Sequence, residues 1–373
     1  MFGSKCDTNI RKAWFYYPEA DAKSLAAFEE QWDVPLWNEL MSELDVLQRS
    51  NCSTQRVHFG LIGANAKGAG LASTLRYMTG YLSDAYAENK GFMFAGRLNY
   101  AGTRSCKARN QLGDIECFLQ PLSGCTQERE QAFARYRNPN ARNNRCMRNV
   151  IGTRCTSMQP YLQKKIPEKY SKQGNFWWRS AMLSYLMRLS DATEEWLSLE
   201  QLKADIGFKH PIIGVHVRHG DACHTTTRKG TCSGLSTYMQ DIEAMSERYN
   251  TTRVYLSTDD EAVVREARQN TKYQFVINQQ MNRKVLDSAV QIEYRRNLWD
   301  GSSDIGHGIA LSTFQDVLLL AEADYLILHL LSNMSRMALE LSAARRHRLV
   351  PFSSKDGPWC AHWRMCEDRF DLS

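Results

Sequence analysis

The chain has 373 residues, 43% of them hydrophobic and 24% charged, a composition typical of a globular protein with two domains rather than of a disordered chain. Its formal net charge of +6 favours an anionic ligand but is too small to indicate a nucleic-acid-binding protein. The sequence contains neither an apolar run of membrane-spanning length nor a signal peptide. If the protein works in the secretory pathway, we therefore expect this chain to be a lumenal fragment or an incomplete chain.

Eleven cysteines are many for a cytosolic protein and indicate an oxidising compartment. None forms a Cys-x-x-Cys pair, which argues against zinc and thioredoxin motifs. The short spacings suggest local disulfides, with the connectivity left open and one thiol left over: Cys117/Cys125, Cys146/Cys155, Cys223/Cys232 and Cys360/Cys366. Asn51 and Asn250 begin glycosylation sequons that fit the same compartment, whereas a third sequon at Asn333 is expected to be buried.

The first 54 residues are predicted to be a peripheral segment whose apolar spacing at 26–47 indicates a helix. Residues 55–206 are predicted to form an α/β domain, with helices at the junction to the next domain. Its predicted elements are strand 57–63, helix 73–86, strand 92–95, helix 176–189 and helix 194–206. A glycine-rich turn, Lys67-Gly-Ala-Gly, precedes the first of these helices, where either a ligand or a plain tight turn would suit it.

Residues 207–373 alternate between strand and helix patterns, which predicts a Rossmann-like domain with a parallel sheet and right-handed crossovers. The predicted strands are 212–217, 253–257, 273–277, 325–328 and 347–350. The predicted helices are 235–248, one beginning near 261, 309–322 and 333–344, with a long loop at 279–308.

Polar clusters follow three of these strands, at the ends where ligands of open α/β sheets bind. They are His216/Arg218/Asp221, Thr258/Asp259/Asp260 and Ser332/Asn333. The planar guanidinium of Arg218 suits a phosphate, so the clusters together predict a phosphate-bearing ligand. The alternatives are a solvated polar turn after the first strand and simple helix capping by the two aspartates.

Several segments resemble the α1,6-fucosyltransferases that add core fucose to N-glycans, and the similarity extends over most of residues 60–345. The matching stretches are 207–218, 254–260, 316–327, 332–336, the Trp177-Trp178 helix and the glycine-rich turn at 67–70. The resemblance implies a GT-B-like α/β fold with two Rossmann-like domains, in which residues 55–206 form the acceptor-side domain and the donor site lies at the carboxyl ends of the second domain's strands. It also implies a metal-independent inverting transferase that moves fucose from GDP-fucose to a glycan hydroxyl, with no cofactor beyond that donor.

The same resemblance implies roles for individual residues. Arg218 would hold the β-phosphate and offset the charge of the departing GDP, since a metal-free enzyme needs a cation there. Asp316, with His216, would face the guanine and accept its N1 and N2 hydrogens. The remaining donor-binding residues would be His219, Tyr238, Asp259 and Asp260 around the sugar nucleotide, with Ser332 and Asn333 donating to the pyrophosphate.

The chain also departs from the family pattern. His219 replaces a second arginine, Ala222 replaces a lysine, and Asn333 stands in place of a glutamine. No acidic residue occurs between 222 and 240, where family members carry the suspected general base. Asp221 is our predicted catalytic base, although it would serve equally as an orienting residue for Arg218.

Other candidates for the base are His219, His224, Glu293 and Asp300. The missing glutamate leaves open a GDP-sugar or glycan-binding protein with lost or altered catalysis, and a transferase that uses another nucleotide sugar also remains open. A kinase or phosphatase is disfavoured by the lack of a Walker lysine motif and of a reactive cysteine in a phosphate loop. The expected partners are a nucleotide sugar and a glycan acceptor, in the Golgi lumen, with membrane attachment only through a segment absent from this chain.

Overall fold

The structure is a computed structural model, and it describes a large part of the chain. The described residues are 31–49, 57–61, 70–95, 98–109, 114–125, 166–220, 223, 234–286, 292–295, 298, 304–356 and 359. Among them, no helix combines the length and the apolar character that crossing a membrane requires.

The chain divides into two compact units that are each discontinuous in sequence. We call the unit of residues 1–32, 197–292 and 311–373 the sheet unit, and the unit of residues 33–196 and 293–310 the helical unit. This division places residues 33–54 with the segment up to 196. The prediction along the chain instead drew boundaries after residues 54 and 206.

The secondary structure of the described residues alternates between helices and short strands. The helices are α1 Val34–Arg49, α2 Leu71–Ala87, α3 Arg104–Arg109, α4 Glu168–Ser171, α5 Gly174–Leu186, α6 Asp191–Leu197, α7 Leu199–Ile206, α8 Met239–Tyr249, α9 Glu261–Gln269, α10 Arg283–Leu286, α11 Ile305–Glu322 and α12 Asn333–Arg346. The strands are β1 Val57–Leu61, β2 Gly91–Ala95, β3 Ile213–Val217, β4 Arg253–Thr258, β5 Gln274–Ile277, β6 Tyr325–Leu328 and β7 Phe352–Ser354.

The sheet unit contains a five-stranded parallel sheet in the order β5-β4-β3-β6-β7. From β3 the chain proceeds outward through β4 to β5 and then returns to place β6 on the other side of β3. The strand order therefore reverses between β3 and β6, which is the topological switch point where open α/β sheets bind ligands. The predicted α/β class and parallel sheet are confirmed.

All five residues of β3 are buried, as the β-branched run predicts for a strand covered on both faces. Gly214 lies at its centre, and a Cβ built there would lie 2.8 Å from Ala323 Cβ and 3.0 Å from Leu326 Cδ2. The glycine therefore permits a closer approach to β3 than any side chain would allow.

Several predicted boundaries are wrong for local reasons. The predicted helix 194–206 is two helices, because Ser198 adopts a left-handed conformation (φ 43°) between α6 and α7. The last strand begins at Phe352 rather than at residue 347, because His347 (φ 50°) ends α12 in the left-handed region. The predicted loop 279–308 contains α10 and a 3₁₀ turn, Ile292–Tyr294, and α11 begins at Ile305 rather than at 309.

The helical unit is built on a two-stranded parallel sheet, β1-β2, with buried helices around it. The side chain of Gln48 in α1 makes buried hydrogen bonds to two other segments of this core. Its amide nitrogen donates to the carbonyls of Phe92 and Leu122 at 3.1 and 2.7 Å, and its Oε1 accepts the Phe92 N–H at 2.5 Å. Of the helix predicted at 26–47, the structure describes the part that begins at Val34. The hydrogen bonds of Gln48 connect this helix to the core of the helical unit.

Disulfides are present, but one predicted pairing is wrong. Cys117 is bonded to Cys106, with 5.4 Å between their Cα atoms, and not to Cys125. Between Cys117 and Cys125, Leu119 forms a β-bridge with Leu189, and the Gly124 N–H donates to the Gln48 carbonyl. These contacts direct this segment of the chain away from Cys117. Cys125 and Cys223 are also disulfide-bonded. The other cysteines for which disulfides are predicted lie outside the described residues, at positions 146, 155, 232, 360 and 366.

Candidate functional site

The candidate site lies at the carboxyl end of β3, beside the switch point of the sheet. The register pairs Val217 of β3 with Thr258 of β4, so both strands release their next residues at the same edge. Arg218 and His219 follow the first strand, and Asp259 and Asp260 follow the second. The structure therefore brings Arg218 of the first predicted cluster together with Asp259 and Asp260 of the second, whereas Asp221 of the first lies outside the described residues.

Two side-by-side ion pairs join these strand ends. The Arg218 guanidinium contacts the Asp259 carboxylate, and the His219 Nδ1 contacts the Asp260 carboxylate. Asp259 also accepts the backbone N–H of His219 at 2.9 Å. The two basic side chains are 24% and 29% exposed, so each pair is partly shielded and still reaches solvent. Such partly shielded charges interact more strongly than fully exposed ones.

Gly220 allows the chain to turn immediately after these two basic residues. Its φ of +45° lies in the left-handed region, and a Cβ there would lie 2.7 Å from Asp259 Oδ2. A side chain would thus meet both backbone strain and the carboxylate that holds Arg218.

The helix-capping interpretation of the second cluster is correct for Asp260. Its Oδ1 accepts the Ala262 N–H at 2.6 Å, which caps the start of α9. The other oxygen of the same carboxylate contacts His219, so Asp260 combines capping with a contact at the site.

Asp316 is located in a buried polar network behind this edge. It is 0% exposed, and its carboxylate accepts hydrogen bonds from Tyr255 Oη at 2.8 Å, Ser257 Oγ at 2.7 Å and Asn278 Nδ2 at 2.9 Å. Burial raises the pKa of Asp316, while these three hydrogen bonds act in the opposite direction. The structure therefore places Asp316 inside the sheet unit's core, and its predicted contact with a guanine stays a prediction.

Two other predicted donor residues are also buried. His216 is packed inside with its Nδ1 2.6 Å from Ser335 Oγ, and Tyr238 belongs to the apolar core that includes Leu235 and Ile242. Burial raises the pKa of the Tyr238 hydroxyl further above its usual value. Neither residue shares the partial exposure of Arg218, and both predicted donor contacts stay predictions.

The third predicted cluster lies at the start of α12, which follows β6 across the switch point. Ser332 is the N-cap residue, with its backbone N–H bonded to the His329 carbonyl at 2.8 Å, and Asn333 begins the helix. Since a helix of 14 residues presents backbone N–H groups at this end, it suits an anion. Asp221, the predicted base, lies outside the described residues, as do His224 and Asp300.

Sequence reasoning missed three polar groups at this edge. Arg283 is buried and donates to the carbonyls of Thr258 and Asn278 at 3.0 and 2.9 Å, which connects the ends of β4 and β5. His329 Nε2 lies 3.0 Å from Asp356 Oδ2, after β6 and β7. Arg283 falls within a predicted loop, and Asp356 lies beyond the last predicted strand. Only the position of His329, directly after a strand, gave a usable signal.

A parallel α/β unit with a basic strand end beside a helix N-terminus at the switch point is typical of nucleotide-binding domains. The family model described as alpha-(1,6)-fucosyltransferase N- and catalytic domains matches residues 21–356. The chain therefore belongs to the alpha-(1,6)-fucosyltransferase family.

Individual relatives are more distant. An alpha-(1,6)-fucosyltransferase of Drosophila melanogaster is 26% identical over 286 residues, which cover 74% of this chain and 42% of that protein. This chain thus matches less than half the length of that relative. A crystal structure of NodZ alpha-1,6-fucosyltransferase with GDP has a TM-score of 0.46 at 16% identity, covering 82% of this chain and 96% of that one. POFUT1 in complex with GDP has a TM-score of 0.35 at 10% identity, with coverages of 88% and 85%.

Proposed function

We propose that this chain is the catalytic part of an inverting fucosyltransferase that moves fucose from GDP-fucose to a glycan hydroxyl without a metal ion. The proposal rests on the position of Arg218 in this chain, which belongs to the alpha-(1,6)-fucosyltransferase family. The guanidinium is partly exposed at the carboxyl end of the strand beside the switch point, across from the N-terminus of α12. Both features favour the diphosphate of a nucleotide sugar.

In this mechanism Arg218 binds the diphosphate and stabilises the negative charge that develops on GDP as the bond to fucose breaks. A guanidinium has five N–H donors, so Arg218 can keep its contact with Asp259 while it donates to phosphate oxygens. Asp259 acts as a positioning residue, because it holds the guanidinium and the backbone N–H of His219. The helix α12, beginning with Asn333, contributes its backbone amides to the same anion.

The acceptor hydroxyl attacks the fucose carbon from the face opposite GDP, which inverts the configuration, and its proton passes to a base. We assign that base to Asp221 on its position three residues after Arg218. Asp221→Asn is expected to retain GDP binding and to lower transfer, which separates the proton acceptor from the diphosphate site.

The proposal is tested by thermal unfolding of the chain with GDP in the presence of EDTA. A hundredfold excess of GDP over its Kd stabilises a binding protein by about 2.7 kcal/mol. We expect stabilisation of the wild type and its loss in Arg218→Ala. Arg253→Ala is the matched control, since it removes the same charge from the opposite edge of the sheet, where β4 begins. GDP stabilisation retained in Arg218→Ala would contradict the role of Arg218.

The second candidate is a GDP-sugar or glycan-binding protein with lost or altered catalysis. Two observations support this candidate. No acidic residue occurs from 222 to 240, and His219, another candidate for the base, already contacts the carboxylate of Asp260. Labelled GDP-fucose offered with a panel of glycan acceptors distinguishes the two. Transfer supports the enzyme, and GDP binding without transfer supports the binding protein. The same panel with other GDP-sugars tests the donor specificity.

We also propose that the protein works in the secretory pathway, in the Golgi lumen. The bonded pair Cys106–Cys117 favours an oxidising compartment. Asn250, which begins a glycosylation sequon, is exposed at the end of α8 and therefore accessible for modification. Expression in a secretory host followed by enzymatic deglycosylation should reduce the mass of the wild type, and Asn250→Gln should remove one glycan.

A further inference from the structure

A cluster of two cysteines and a histidine lies in the helical unit. Cys106 belongs to α3, Cys117 ends the 3₁₀ turn Ile115–Cys117, and His307 lies in the first turn of α11. All three residues are buried, and their possible ligand atoms lie within 4.8 Å of one another. Cysteine sulfur and imidazole nitrogen are the preferred ligands of zinc.

His307 gives an independent reason to consider a ligand. Its side chain is 6% exposed, and its Nε2 has no hydrogen-bond partner among the described residues. A buried ring nitrogen without a partner is uncommon in folded proteins, and binding an ion is one way to satisfy it.

The position of this ring is maintained by contacts other than the disulfide. It stacks on Phe118 with 5.6 Å between ring centroids and meets Trp196 edge-on at 4.4 Å. The backbone N–H of Ser105 donates to Asp304 Oδ1 at 2.8 Å, which connects α3 to the start of α11. Opening the disulfide would therefore leave Cys106 and Cys117 close to His307.

We propose that reduction of the Cys106–Cys117 disulfide converts this cluster into a zinc site with two thiolates and one imidazole. With Zn–S bonds of about 2.3 Å and tetrahedral angles, the two sulfurs lie about 3.7 Å apart, within the present span of the cluster. Two thiolates neutralise the charge of Zn²⁺, which suits a buried position. Three protein ligands leave one tetrahedral position for water.

The conversion has two balanced steps. A dithiol reductant transfers two electrons and two protons to the disulfide, which breaks the S–S bond, forms two thiols and leaves the reductant as its own disulfide. Zinc then displaces both thiol protons to solvent as the two Zn–S bonds form. The oxidised chain cannot bind zinc at this site, because both sulfurs are engaged with each other.

The test uses the full chain, reduced with a dithiol under anaerobic conditions and freed of reductant. The rate of alkylation of Cys106 and Cys117 is then measured by peptide mass spectrometry with and without buffered Zn²⁺. We expect zinc to slow modification of both cysteines at least tenfold in the wild type. Because the readout is specific for each cysteine, zinc bound by other reduced cysteines does not affect it.

His307→Phe is the decisive variant, since phenylalanine keeps the aromatic packing against Phe118 and Trp196 but offers no ligand. We expect this variant to lose the protection by zinc, whereas His210→Ala in the sheet unit should keep it. As a second measurement, Co²⁺ should give a thiolate charge-transfer band in the reduced wild type that is weaker in the Cys106→Ser/Cys117→Ser variant. Protection of His307→Phe equal to that of the wild type, or no protection of the wild type, would overturn the proposal.

Discussion

The two ends of strand β3 carry the same chemical pair in different surroundings. At the amino end, His210 Nδ1 lies 2.8 Å from Asp324 Oδ2, and this histidine is 53% exposed. At the carboxyl end, His219 contacts Asp260 beside a second ion pair, Arg218 with Asp259. An imidazole and a carboxylate alone therefore do not identify a site. The adjoining arginine, the partial burial and the switch point distinguish the carboxyl end.

The largest expected difference concerns two carboxylates: Asp316, which is buried behind the carboxyl end, and Asp324, which is partly exposed at the amino end. Asp316→Ala should lower the free energy of unfolding by about 3–5 kcal/mol, because Tyr255, Ser257 and Asn278 each lose a buried acceptor. Asp324→Ala at the amino end should cost less, about 1–2 kcal/mol, because its partly exposed carboxylate accepts one backbone N–H, that of Ile212 at 2.8 Å, besides contacting His210. Urea denaturation measures both values. Equal losses would show that the network around Asp316 is no more important than the contacts of the partly exposed Asp324.

A second comparison uses glycines with positive φ near each end. Gly220→Ala should destabilise the chain by about 2–3 kcal/mol, because the new Cβ is strained and also meets Asp259. Gly207→Ala should cost only about 1 kcal/mol, since its Cβ has no described atom within 4 Å. Thermal denaturation of both variants provides the measurement. A cost at Gly220 no greater than at Gly207 would mean that Asp259 moves aside freely.

The third prediction concerns the two histidines directly. His219→Ala should weaken GDP binding about tenfold, because the imidazole lies next to Arg218 and a bond to a charged group contributes about 1.5–3 kcal/mol. His210→Ala should leave the affinity within about twofold. Isothermal titration calorimetry with GDP measures both. Equal effects at the two ends would remove the reason for placing the diphosphate at the carboxyl end.

The smallest expected effect is a dependence on pH. The pKa of Asp316 is raised in the folded chain, so its contribution to stability is greatest below the unfolded pKa and is lost as pH rises through the folded pKa. Asn at this position keeps the shape without titrating. The stability of the wild type relative to Asp316→Asn should therefore fall as pH rises from about 4. Urea titrations at a series of pH values measure this difference, and a constant difference would contradict the raised pKa.

The sequence predicted the central strands well, because their β-branched runs and the polar residues after them are local signals. β6 was predicted with its observed bounds, and β3 and β4 within one residue. The left-handed residues Ser198 and His347 were missed, because only a few per cent of non-glycine residues adopt this conformation and a single serine or histidine does not identify which. The partner of Cys117 was also missed, since pairing depends on the path of the whole chain.

For the site, the sequence correctly predicted that the strand ends after β3 and β4 converge. It did not predict that Asp316 lies inside a hydrogen-bonded core, because position in a helix does not reveal which donors surround a side chain. Arg283 was missed for a related reason. Its role as a connector of two strand ends depends on backbone carbonyls that have no signature in the sequence.

The glycine at the centre of β3 also limits how this protein can vary. Gly214 allows Ala323 and Leu326 to approach the strand, and Asp316 lies on α11, whose Leu320 Cδ2 would be 3.2 Å from an added Cβ. Any larger residue would push that helix outward and stretch the hydrogen bonds of Asp316. A related sequence therefore has to keep glycine at position 214 or change the hydrogen-bonded network of Asp316 at the same time. Divergence within the family is thus expected to occur in the loops at the sheet edge before it reaches this strand.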